Sequence, residues 1–272
     1  MSIFRKKLNI NMKPLLRKLK TRIINFLSHD IFAFLSKNKR QHLQYIKFLK
    51  LNFSKPEEMT IMGNYEVPSK VIESLDSSST IITGGVEFHI DFEESLDKLT
   101  GASFHFFEVD ARSIEWFRQN KKKSNFKIID KGLGSKKGTL PVYGNEFMGF
   151  SSSVDPKIYE SSSLDFQKIG EAEITTVHDY CLESNISAID ILKLDIEGMA
   201  LEVTHACWEN NLFPKNILLE VERGEGENFS DYKSTIERFI SQAQSLDYQI
   251  IFLERKDFFN SQTCEFFLTK NS

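Results

Sequence analysis

The chain has 272 residues, 40% of them hydrophobic and 27% charged, with 13 Gly and 6 Pro, a composition that excludes collagen, low-complexity disorder and repeat arrays. Its length suits one α/β domain with an appendage, or two small domains. The formal charge of −3 conceals an asymmetry: residues 1–50 hold 13 Lys and Arg against the single acid Asp30, whereas the rest holds 22 against 37 acids.

Three cysteines, Cys181, Cys207 and Cys264, are odd in number and widely spaced. They supply neither a disulfide framework nor a zinc cluster, and a reducing, cytoplasmic setting fits them. The basic start, Arg5-Lys6-Lys7, runs into Leu8-Asn9-Ile10-Asn11 and not into the apolar stretch of a secretory signal. The most apolar segment, Ile23 to Leu35, contains Asn25, Ser28, His29 and Asp30 and falls short of the ~20 residues a span requires. No membrane crossing is expected.

From Lys13 to Leu27 the residues Leu15, Leu16, Leu19, Ile23, Phe26 and Leu27 recur at helical spacing among basic residues, and a second helical stretch covers about Gln41 to Leu51. Residues 1–55 therefore read as a basic amphipathic extension. Two roles are open to it: a helical cap on the main domain, or docking on an acidic partner or an anionic membrane face such as the inner face of the cell membrane. Nucleic acid is not an expected partner, because the body is acidic and carries no recognisable reading module.

Residues 56–272 alternate apolar β-rich runs with helical patterns. Strands are predicted at Ser79–Thr83, Ser103–Glu108, Phe126–Asp130, Ile189–Leu194 and Asn216–Val221, with helices near Asp91–Leu99, Arg112–Lys122 and Ala200–Trp208. Continuous apolar strands separated by helices imply a parallel sheet buried on both faces. After a helix over Asp231–Leu246, the strands Tyr248–Leu253 and Thr263–Leu268 are too close for a helical crossover and should pair antiparallel. Between Gly132 and Gly170 the pattern breaks into an irregular, Ser-rich stretch, which reads either as a functional lid shaping an acceptor pocket or as a plain insertion.

Five parallel strands and an antiparallel pair match the doubly wound, mostly parallel seven-stranded sheet of class I methyltransferases, a Rossmann-like α/β fold whose ligand sits at the carboxyl ends of the strands. Strand one ends at Gly84-Gly85, where adjacent glycines permit either close approach to a ligand or an ordinary tight turn. Strand two ends at Glu108, 23 positions after Gly85, close to the ~20 at which an acid in dinucleotide folds binds a ribose diol. Asp110 reads as a helix cap. Strand four ends in Lys193-Leu194-Asp195-Ile196-Glu197-Gly198, and two acids at the end of a buried strand are hard to explain by stability alone. No His, Cys and carboxylate grouping has transition-metal spacing, so no resident metal is expected.

The run Lys193-Leu194-Asp195-Ile196-Glu197-Gly198 with Leu201-Glu202-Val203 resembles the FkbM-type methyltransferases. Gly85-Val86 with Ile90 and Phe92, Phe107-Glu108 with Arg112 to Trp116, Gly132-Leu133-Gly134 and Ile217 to Val221 agree with it in order. The resemblance implies O-methylation dependent on S-adenosyl-L-methionine, commonly of sugar hydroxyls in glycans or of natural products. It implies that Gly84 and Gly85 face the amino-acid part of the cofactor, that Glu108 meets its ribose, and that Asp195 and Glu197 lie where methionine and acceptor meet. Either acid would then serve as base. Glu87 and His89 stand where the family has a second glycine and an acid, with His89 a candidate hydrogen-bond partner of the cofactor, and Ala200 replaces an acid. Two rival readings follow: a binding-only descendant, and a glycosyltransferase holding Mg²⁺ or Mn²⁺ through Asp195 and Glu197.

Overall fold

The computed structural model describes residues 37–53, 55–56, 58–144, 151–152, 167–196, 198–222, 228–253 and 263–271. The chain divides into two compact units, Met1–Phe48 and Leu49–Ser272. The second helical stretch of the sequence is the helix Lys37–Asn52. The amphipathic pattern at Lys13–Leu27 lies outside the described residues.

The larger unit is built on a seven-stranded sheet. Its parallel strands in chain order are β3 (Thr80–Gly84), β4 (Ser103–Glu108), β5 (Phe126–Asp130), β10 (Ile191–Leu194) and β11 (Asn216–Glu222). β12 (Tyr248–Leu253) and β13 (Thr263–Lys270) complete it in the spatial order β12-β13-β11-β10-β3-β4-β5. β13 runs antiparallel to both β11 and β12, as the short connection required. All four residues of β10 are buried and so are Ile81 to Gly84 of β3, the burial expected of a parallel strand covered on both faces.

Helices flank the sheet: Asp91–Thr100, Ala111–Asn120, Val177–Ser184, Ala200–Glu209 and Phe229–Ser245. Several starts and stops are written in single residues. The Asp110 carboxylate accepts from the backbone N–H of Arg112, Thr176 Oγ1 accepts from that of Asp179, and Gly101 at φ +64° ends the first of these helices. β3 turns one way to β4 and β5, while β10 leads the other way to β11, so the strand order reverses between β3 and β10. A crevice opens beyond the carboxyl ends of strands at such a reversal.

Two features depart from the sequence expectation. Met59–Met62 (β1) and Tyr65–Pro68 (β2) form an antiparallel hairpin around Gly63-Asn64, where the sequence pattern predicts no strand. The stretch from Gly132 to Gly170 is not simply irregular. β6 (Gly132–Leu133), β7 (Gly138–Gly144), β8 (Ser151–Ser152) and β9 (Gln167–Thr175) form a second sheet in the order β6-β9-β7-β8. Its own small core is Val142, Ala172 and Ile174, against which Val109 and Leu140 pack. Pro141, several glycines and the wholly exposed run Gln167–Glu171 hid the alternation of Ala172 and Ile174 with polar neighbours.

Candidate functional site

The glycine turn after β3 is the centre around which the other groups gather. Gly85 has φ +86°, and a Cβ there would lie 2.0 Å from the Asp195 carbonyl oxygen. Its bareness thus admits the neighbouring strand end, a demand as strict as approach to a ligand. Gly85 N–H donates to Phe107 C=O at 3.0 Å, and Asp195 N–H donates to Gly84 C=O at 3.0 Å. The ends of β4, β3 and β10 are thereby stitched into one edge. Gly84 itself is packed, since its Cβ position is 3.1 Å from side-chain atoms of Ile196 and Leu133.

Glu108 is the second fastening. Its Oε2 accepts the N–H of Val86 and of Glu87, both at 3.0 Å, and its Oε1 accepts those of Val109 at 2.6 Å and Asp110 at 2.9 Å. Four backbone donors match the roughly four acceptor positions of a carboxylate. Burial pushes the Glu108 carboxyl above its ordinary value, and the four N–H groups pull against that. The turn holds a rare geometry beyond it: Glu87 has φ +48°, a conformation uncommon for a side chain of its size. His89 Nδ1 lies 3.7 Å from Glu87 Oε2, both side chains being about half exposed.

Asp195 closes the other side. Tyr65 O–H donates to its Oδ2 at 2.7 Å, and Lys193 Nζ lies 3.7 Å from the same oxygen. Lys193 is 6% exposed, 3.7 Å from Glu93 Oε1, and Glu93 in turn accepts from Thr83 Oγ1 at 2.9 Å. Burial alone would push the Lys193 ammonium down, but Glu93, Asp195, Glu220 and Glu265 together hold it above its ordinary value. A buried cation in such company is paired, which is the condition for keeping its charge.

These groups surround a small cleft of about 30 Å³, lined by Gly85, Val86, Glu87, His89, Tyr65, Lys193 and Asp195 among others. A second cleft of about 380 Å³ lies between Val109–Arg112 and residues Val142 and Ile169–Glu171 of the second sheet, which forms an arm beside the first. Glu108 stands at the seam, because one of its oxygens fastens lining residues of the first cleft and the other fastens those of the second. Of the residues singled out in the sequence, Gly85, Glu87, His89 and Asp195 therefore share one cleft, Glu108 braces it, and Gly84 is turned into packing. Glu197 lies outside the described residues. Ala200 is buried at the start of its helix.

Tyr65 and Lys193 were missed as site residues. Lys193 was visible within the motif, and the hairpin that carries Tyr65 had a signal: two apolar runs separated by Gly63-Asn64. No helix among the described residues is long and apolar enough to cross a membrane. Among those residues Cys181, Cys207 and Cys264 are free and buried, and no group of three or more His, Cys, Asp or Glu is placed to hold a metal ion.

The family model of the methyltransferase FkbM domain matches residues 85–259. No curated protein matches the chain in sequence. Among solved structures, an rRNA methylase from Streptococcus thermophilus is similar at 10% identity and TM-score 0.42, with 75% of this chain and 94% of that one covered. Fibrillarin from Aeropyrum pernix, in complex with natively bound S-adenosyl-L-methionine, is similar at 9% identity and TM-score 0.40, covering 72% and 67%. TrmK of M. capricolum, in complex with S-adenosyl-homocysteine, is similar at 9% identity and TM-score 0.38, covering 75% and 67%.

Proposed function

Because this chain belongs to the FkbM methyltransferase family, we propose that it is an S-adenosyl-L-methionine-dependent O-methyltransferase acting on a hydroxyl of a sugar, glycan or natural product. The observation that carries this reading is the gathering of Gly85, Glu108 and Asp195 around one turn at the strand-order reversal. Ligand sites of this fold class form there.

The cleft fits such a cofactor in charge. Asp195 and Glu87 give it negative charge for a sulfonium and an ammonium, and Lys193 gives a cation for a carboxylate. Bound there, S-adenosyl-L-methionine would supply an electrophilic methyl for the acceptor oxygen, with its sulfur as the leaving group. Asp195 takes the proton that the hydroxyl gives up, a contribution of roughly 10²- to 10⁴-fold for a positioned base. Glu197, which follows in the same motif, is the alternative base. Lys193 and Tyr65 keep the Asp195 carboxylate in place, and Glu108 holds the turn.

The arm borders the second cleft with Val142 and Ile169, so it is the proposed shaper of acceptor specificity. Residues 1–55 are proposed as a separate extension that contacts anionic membrane peripherally, on the strength of their basic charge.

Calorimetric titration of the full chain tests the reading. Binding of S-adenosyl-L-methionine in the presence of a metal chelator is the expected outcome. Failure to bind it, or binding of a nucleotide sugar that requires Mg²⁺ or Mn²⁺, overturns it.

A further inference from the structure

On the reading of Asp195 as the base, we infer that Tyr65 is its positioning residue: the hairpin Met59–Pro68 delivers a phenol that donates to Asp195 Oδ2 at 2.7 Å and fixes the carboxylate at the mouth of the cleft. The hairpin precedes residues 85–259, which the family model matches. The contact therefore joins a residue outside that match to the motif within it.

Three observations make it more than a chance proximity. The hairpin tip is locked: Gly63 has φ +57°, and a Cβ there would lie 2.6 Å from both Asp91 C and Phe92 N, so the turn sits directly on the start of the helix Asp91–Thr100. The Tyr65 ring is seated between two neighbours, edge-on to Phe92 at 5.5 Å and under the Lys193 ammonium at 5.0 Å from its centroid. The phenol also stays a donor. Burial first, then the charge and hydrogen bond of Asp195, then Glu265 and Glu220, push its ionisation far above the ordinary tyrosine value.

The groups facing Asp195 set the direction of its response. Tyr65 and Lys193 favour its charged form, while Glu93 from the helix, Glu220 and Glu265 from the neighbouring strands and Glu87 from the turn oppose it. His89, across the cleft, adds to the favouring side only when protonated. Deleting the hydroxyl donor while keeping the ring removes one stabilising bond to the carboxylate, so the protonation midpoint of Asp195 must rise. A Tyr65 that only filled space would leave it where it is.

The test follows the side-chain carboxyl ¹³C signal of Asp195, assigned with Asp195→Asn, from pH 3 to 9 in the full chain. The expected result is an upward move of the midpoint by about half a unit or more in Tyr65→Phe, with Glu66→Gln on the same hairpin leaving it unchanged. Equal midpoints in the original protein and in folded Tyr65→Phe overturn the inference. Should Tyr65→Phe fail to fold, a fluorinated tyrosine at position 65 keeps the ring and strengthens the donor; a fall in the midpoint then supports the inference and no movement overturns it. Calorimetry with S-adenosyl-homocysteine on the same samples keeps the two claims apart. Absence of binding removes the cofactor reading, while the ¹³C midpoint decides Tyr65 regardless.

Discussion

The glycine turn and the arm both border the carboxyl ends of the sheet, yet opposite interactions hold them. Around Gly85 the fastenings are backbone groups and a buried side chain: Phe107 C=O, the Asp195 N–H, four N–H groups on Glu108. The arm rests on three small core residues, Val142, Ala172 and Ile174, and its outer face is secured by exposed pairs such as Lys168–Glu171 and Lys131–Glu173. Rigid geometry is thus concentrated where a reacting centre needs it, and the arm is left tolerant of change. Preorganised sites and variable binding loops divide in this way.

Gly85→Ala should break this contrast most severely. The left-handed backbone alone costs about 1–2 kcal/mol for a residue with a Cβ, and the Cβ would collide with the Asp195 carbonyl at 2.0 Å. Separation of β3 from β10 is the expected relief. Calorimetry should show S-adenosyl-homocysteine affinity reduced by on the order of 100-fold or more, about 2.7 kcal/mol. Ordinary affinity would mean that the stitched edge does not build the cleft.

Glu108→Gln is expected to come next. An amide presents one acceptor oxygen and one NH₂ where four N–H groups now converge, so two donors lose their partner and face another donor. At about 1–3 kcal/mol for each buried group left unsatisfied, urea unfolding should register a loss of about 2–6 kcal/mol. A loss below about 1 kcal/mol, the scale of one ordinary hydrogen bond, would show that the four contacts are not a structural fastening.

The same division explains what was legible in the sequence. The apolar runs at Ile81-Ile82, Phe104 to Phe107 and Ile191 to Leu194 carry the buried-strand signal without help from distant residues, and Lys193 to Gly198 marked the strand end where the site lies. The arm was not legible, because its pairing depends on Ile174 meeting Gly132 and Gly134, whose Cβ positions would fall 2.6 and 2.5 Å from it. Such complementarity has no periodicity in the chain. Tyr65 was missed for a related reason: it reaches Asp195 across 130 positions. Glu108 stood out by its spacing from Gly85, but the four N–H groups on it did not, since backbone donors have no sequence signature.

His105 links the two regions and should give a smaller, pH-dependent effect. Its Nδ1 is 2.7 Å from the hydroxyl of Tyr180, on the helix that leaves the arm, and its Nε2 is 3.1 Å from Ser103 Oγ. Burial first, with Lys127 second, holds its imidazole down at about 4 against an ordinary 6.5. The unfolded chain therefore binds the proton more readily between these values. The stability this contributes is complete above about 6.5 and is lost as pH falls through about 4. In His105→Gln, unfolding free energy plotted against pH should lose up to one proton's worth of slope in that window. An unchanged slope would assign the acid sensitivity elsewhere.

Lys168→Ala should do least, and its smallness is informative. Its Nζ is 2.6 Å from Glu171 Oε1, so the pair looks tight, and the contact lifts the Lys168 ammonium above its ordinary value while holding the Glu171 carboxyl below its own. Yet water reaches both groups, the side chains being 49% and 60% exposed. Solvent screening and the entropy of ordering two long chains leave such pairs little net stabilisation. Urea unfolding of Lys168→Ala should therefore overlay the original, and S-adenosyl-homocysteine affinity should not change. Glu171 lines the second cleft, so its partner's removal frees a carboxylate at the edge of the proposed acceptor pocket. A large stability loss would show that the arm is fastened as firmly as the glycine turn, and the division of labour between the two would fail.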